Sequence, residues 1–133
     1  MKQPPSELLV LYAHGSRDPR WRATFEELAA AAAAEAGAGA VRLAYLELSA
    51  PTIAEVIGDA VRAGIVRLRV LPLFLAAGKH TSEDVLARVD EARVRHPALD
   101  IELLPPVGED VRMRSLLRQI VGDALTSSAE HAS

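Results

Sequence analysis

Cysteine is absent from this chain of 133 residues, which excludes disulfides, thiolate metal sites and a cysteine nucleophile. Lysine is scarce: of 15 basic residues only Lys2 and Lys79 are lysines, and the rest are arginines. Charge of one sign is also lacking. A formal net charge of −3 leaves no unbalanced basic stripe, so nucleic acid is not an expected partner. No segment approaches the roughly 18 consecutive apolar residues of a membrane span. The apolar run near the N-terminus is short and follows Gln3, Pro4, Pro5 and Ser6, unlike a secretory leader. No histidine-rich tract stands ready as a metal store. What is present is 50% hydrophobic and 25% charged residues, the balance of a single globular domain with one core. A cytoplasmic location is the corresponding expectation.

Three familiar chemical signatures are missing as well. A phosphate-binding P-loop needs a glycine frame before its Gly-Lys pair, and Gly78-Lys79-His80 has none. Only Gly15 follows the first apolar run, so the dinucleotide fingerprint fails. The acyl-transfer elbow G-x-S-x-G does not occur.

The chain alternates between two textures. Runs rich in Val, Leu and Ile occupy 8–13, 40–48, 65–75 and 100–104, and stretches with helical spacing lie between them. Asp18-Pro19 announces the first helix, which runs through Phe25 and Leu28 to Gly37 and Gly39. Thr52 and Glu55 have capping-box spacing at the start of the second, whose apolar face is Ile53, Val56, Ile57 and Val61. Thr81 and Asp84 have the same spacing ahead of a third, with Val85, Leu86, Val89 and Ala92 on its apolar face and His96-Pro97 closing it. The fourth covers 109–125, with Val111, Leu116, Leu117, Ile120, Val121 and Leu125. Residues 126–133 read as a flexible tail beyond a core of 8–125.

Four strand–helix units in succession imply one doubly wound α/β domain: a four-stranded parallel sheet with helices on both faces. The simplest strand order is 2-1-3-4, and ligands of such folds sit beyond the carboxyl ends of the strands. The polar residues gather at those ends. His14, Gly15, Ser16, Arg17 and Asp18 follow the first strand; Tyr45, Glu47 and Ser49 close the second; Lys79, His80, Thr81, Ser82, Glu83 and Asp84 follow the third. In that order His14 and His80 flank one crevice with Glu47 on its wall. Two imidazoles and a carboxylate suit a borderline divalent metal, and each also moves protons near neutral pH. The same residues have plainer readings: a strand-end histidine often caps or packs, and Arg17 and Asp18 also suit a solvated turn and a helix cap. His96 fits a dipole-stabilised helix end, and His131 lies in the tail. Ala13-His14-Gly15 is near the Arg-His-Gly of histidine phosphatases, so phosphoryl transfer on His14 is one alternative. A non-catalytic carrier of a metal or tetrapyrrole is the other.

Taken together, 14-HGSR-17, 46-LELSAP-51, 72-PLFLAAGKHTSEDV-85, 96-HP-97 and 106-PVG-108 resemble the small sirohydrochlorin chelatases (CbiX-type, related to class II ferrochelatases). The likeness covers about residues 8–125, with Leu86 where the family often has proline. It implies ATP-independent insertion of a divalent metal, cobalt or iron (nickel in some relatives), into sirohydrochlorin, with no organic cofactor. It implies His14 and His80 as metal-holding and catalytic residues, and Glu47 as a base or charge balance. Gly15, Ser16, Arg17, Gly78 and Lys79, with Arg20 at the rim, would meet the substrate's backbone-close face and carboxylates. Because two-domain members contain two such units, it also implies a homodimer.

Overall fold

A computed structural model describes residues 6–132, with side chains through residue 127; Lys2, Gln3, Pro4, Pro5, Ser133 and the side chain of His131 lie outside the described residues. Strands β1 (Glu7–Ala13), β2 (Val41–Tyr45), β3 (Arg67–Pro72) and β4 (Asp100–Leu103) alternate with helices α1 (Pro19–Ala36), α2 (Ile53–Arg62), α3 (Lys79–Arg95) and α4 (Val111–Ala132). A 3-10 turn at Val107–Glu109 precedes α4. All strand pairs are parallel and the order is β2-β1-β3-β4, as expected. No described helix is long and apolar enough to cross a membrane.

Side chains alternate between the two faces of a strand, and membership of the core cluster follows that alternation. Leu8, Val10 and Tyr12 of β1 join Ala44 of β2, Leu68 and Val70 of β3 and Ile101 of β4 in one buried cluster. Ile53, Val56, Ile57 and Ala60 of α2 and Val85, Val89 and Ala92 of α3 pack onto it, with Leu46, Ile65, Phe74 and Leu99 from the connections. Both helices therefore cover the same face. Helix α1 lies on the other, over β2, where Trp21 meets Tyr45 with ring centroids 6.2 Å apart. This split follows from the strand order: the β1–β2 crossover runs one way across the sheet and the next two run the other way, so right-handed connections use opposite faces.

Three local expectations are corrected. The apolar runs overshoot their strands, because residues 46–48 and 73–75 turn out of the sheet while keeping hydrogen bonds to it: Leu46 N–H donates to the Ala13 carbonyl and Leu73 N–H to the Tyr12 carbonyl. Helix α3 begins at Lys79 with Gly78 as an N-cap that offers no side chain, so the Thr81–Asp84 box does not form and His80 sits in the first helical turn rather than in a loop. Helix α4 continues to Ala132, through most of the segment expected as a tail, no glycine or proline following Gly122 to stop it. By contrast the caps at Asp18 and Thr52 form, accepting from Arg20 N–H and Glu55 N–H.

The second face is covered only in part. Arg67, Arg69 and Glu102 alternate outward on β3 and β4 and are exposed, with Arg67 beside Glu7, Asp100 and Glu102. Helix α4 does not lie over them. It packs chiefly on the 3-10 turn, and its apolar row stays open, from 37% exposed at Leu117 to 77% at Val111.

Tyr12 is fully buried and its hydroxyl has no hydrogen-bond partner among the described residues. Burial pushes its phenol up to about 12, partly offset by Arg88 and reinforced by Asp84. Unfolded tyrosine ionises near pH 10. The stabilisation is therefore complete below pH 10 and is lost as pH rises towards 12, on the order of 2–3 kcal/mol. Denaturant unfolding at pH 9 and pH 11.5 should show a larger loss for the wild type than for Tyr12→Phe, which should match the wild type or exceed it in stability at pH 7.

Candidate active site at the carboxyl ends of the strands

Strand β1 is the second of four in the sheet, so its tip lies between the loops that leave β2 and β3. After the buried Ala13 the chain emerges at His14, which is exposed. Gly15 then turns the chain at φ 106°, a conformation that favours glycine. A Cβ there would fall 1.6 Å from the Glu47 carbonyl oxygen. Glycine is thus required twice, for its dihedral and for its missing side chain. The contact draws the β2 loop across the β1 tip, where Glu47 N–H donates to the His14 carbonyl at 2.9 Å.

Ser16 stitches the same two loops. Its N–H donates to Ser49 Oγ at 3.1 Å, and Ser49 Oγ donates to the Ser16 carbonyl at 2.7 Å. Arg22 Nη1 reaches that carbonyl at 3.0 Å, and Ser16 Oγ accepts from Asp18 N–H. The polar groups of Ser16 are therefore engaged inside the turn, as is the carboxylate of Asp18 in capping α1. Arg20 is held beside Asp18, 3.4 Å away. Arg17 is exposed and forms no ion pair among the described residues.

On the other side, Phe74 leaves β3 and is buried, and its ring packs on the His14 imidazole with centroids 4.5 Å apart and planes tilted by 39°. Its carbonyl accepts from Gly108 N–H at 2.9 Å, and a Cβ on Gly108 would lie 1.7 Å from the Leu75 carbonyl oxygen. The β4–α4 connection is thereby pressed against the loop that leads to His80. Gly78, Lys79 and His80 are exposed, with Lys79 Nζ 3.9 Å from Glu83. Glu47 is exposed two residues beyond β2. Among the described residues no three His, Cys, Asp or Glu side chains gather as a metal cage, so Glu47 does not complete a three-ligand set with the histidines.

The expected residues are thus at neighbouring strand ends, Ser49 among them, but three that shape the site were not singled out for it: Arg22, Phe74 and Gly108. Phe74 and Gly108 stand inside the motif segments, where only the contact across the loops gives them a role.

The CbiX family model matches residues 8–124. The chain belongs to the CbiX family. A chain described as a cobalamin (vitamin B12) biosynthesis CbiX protein from Marinobacter aquaeolei VT8 shares 35% identity and a TM-score of 0.78, over 91% of this chain and 98% of that one. SirB of Bacillus subtilis subspecies spizizenii, a sirohydrochlorin chelatase solved in complex with cobalt, has a TM-score of 0.75 at 24% identity over 88% of this chain and 50% of its own, a likeness of fold. The sirohydrochlorin cobaltochelatase of Methanopyrus kandleri is 35% identical over 58% of this chain and 54% of its own. That of Methanosarcina barkeri is 27% identical over 88% and 95%. This CbiX-family chain spans a little over half the length of the first curated relatives it matches.

Gly15→Ala should cost about 2–4 kcal/mol, because strain and overlap act together. Gly37→Ala meets open space at φ 104° and should cost only about 1 kcal/mol. Thermal unfolding of the two variants checks the difference.

Proposed function

We propose that this chain is a sirohydrochlorin chelatase that inserts a divalent metal, cobalt, iron or nickel, without ATP or an organic cofactor. The observation that carries the reading is the pair of exposed imidazoles, His14 and His80, beyond the adjacent central strands β1 and β3 of a CbiX-family domain. Curated relatives bearing the name sirohydrochlorin cobaltochelatase support the substrate and the metal. Insertion replaces two pyrrole N–H protons by one M²⁺. Two neutral imidazole nitrogens hold the ion yet release it more readily than a closed cage would, and each accepts a proton as the ion departs. Glu47, exposed beside the β1 tip, offsets charge or takes a proton. Arg17 and Lys79 meet substrate carboxylates, arginine as the bidentate partner. Ser16 and Gly15 contribute by holding the turn, and Gly78 by leaving backbone accessible. The setting is cytoplasmic. Phosphoryl transfer gains no support, since position 13 is a buried alanine.

The working unit in this reading is a homodimer. The open row Val111, Leu116, Leu117, Ile120, Val121 and Leu125 supports it, because an apolar stripe of that length normally packs on something. A second copy supplies what the row lacks and receives the same in return, as a two-fold interface requires. Reciprocal burial of this row against a second copy would take it out of water on both chains, as the interface of a stable dimer does.

Following the macrocycle's absorbance with Co²⁺ or Fe²⁺ tests the activity. Catalysed insertion is expected, with His14→Ala and His80→Ala each slower by about 10²-fold or more; a wild-type rate equal to the spontaneous one contradicts the reading. Light scattering after size exclusion should give twice the chain mass, and Ile120→Glu should give a folded monomer.

A further inference from the structure

Two leucines stand out on the loops that flank the tip of β1. Leu48 is 54% exposed and Leu75 is 61% exposed, although Leu46 and Phe74 just before them are buried. A single exposed leucine means little. What distinguishes these two is that the backbone is locked so as to hold them out. Leu48 has φ 63°, a strained conformation for a residue with a side chain. It is bracketed by Glu47, whose N–H is bonded to His14 and whose carbonyl abuts Gly15, and by Ser49, bonded twice to Ser16. Leu75 has its carbonyl against Gly108 and follows Phe74, which is bonded to Gly108 and stacked on His14. Each leucine is thus projected by a glycine-dependent contact between two loops. In the order β2-β1-β3 they stand on either side of the β1 tip.

Resting on the chelatase reading, we propose that Leu48 and Leu75 bind the apolar face of the macrocycle and set its plane over His14. A hydrated metal ion or a phosphate has no use for two apolar tips held out around this strand end. A flat ring with a hydrocarbon face and a carboxylate edge uses both the leucines and the cations Arg17 and Lys79, the usual pattern of apolar walls with a few placed polar groups. Strain at Leu48 is then retained for binding.

The test separates ring binding from metal binding and from folding. Leu48→Asn keeps a residue that tolerates positive φ and removes the apolar tip; Leu75→Ser removes the other. Sirohydrochlorin is titrated in the absence of metal, with absorbance as the readout. Each variant should weaken the wild-type Kd by about 5- to 10-fold, from about 50 Å² of lost apolar contact apiece, while the midpoint for Co²⁺ alone stays put. Leu48→Asn should melt at or above the wild-type temperature. Val94→Ser, an exposed apolar position near the far end of α3, should bind as the wild type does. Unchanged Kd values in both variants, an equal loss of Co²⁺ affinity, or conversion of a dimer to a monomer would each overturn the proposal. A wild-type chain that fails to bind the macrocycle would instead sink the chelatase reading beneath it.

Discussion

The bare Cα of Gly15 against the Glu47 carbonyl is the contact on which the site depends. It lets the loop after β2 close over the tip of β1, and the Ser16–Ser49 pair then fastens the two loops. Gly108 against Leu75 does the same for the loop after β3. Both are close approaches of backbone to backbone, possible only without a Cβ. Irregular chain that would otherwise be loose is thereby held to the precision of the sheet beneath it, which is what a binding site on loops needs.

The chemistry placed there is sparse. Two exposed imidazoles do not make the closed tetrahedral set of a structural metal site. In the proposed function, a domain that passes a metal on is better served by weak, incomplete coordination. The aromatic contact of Phe74 on His14 and the helical anchoring of His80 fix where the two groups start from, and neither demands that the metal stay.

Much of this was legible in the residues. Strand β1 with its polar tip and the caps at Asp18 and Thr52 follow from local pattern, and the simplest doubly wound strand order, which brings His14 beside the β3 loop, is the one the chain adopts. What escaped is where one local pattern competes with another or with contacts distant in sequence. Thr81 and Asp84 have the spacing of a capping box, yet the helix starts earlier because Gly78 supplies an unhindered extended cap. The apolar row of α4 shows that it must be buried without showing by what, and the exposed Arg67 and Arg69 on β3 were an unread sign that the sheet's second face is not closed by its own helix. Phe74 and Gly108 are ordinary residues until the fold brings their loops together.

The proposed function turns on His14 and His80 holding the metal as a pair. X-ray absorption at the cobalt edge of the Co²⁺-loaded chain measures this directly. Two imidazole ligands are expected in the wild type, one in His14→Ala and one in His80→Ala, with solvent oxygen completing the shell. An all-oxygen shell in the wild type, or an imidazole count unchanged by either substitution, would contradict it.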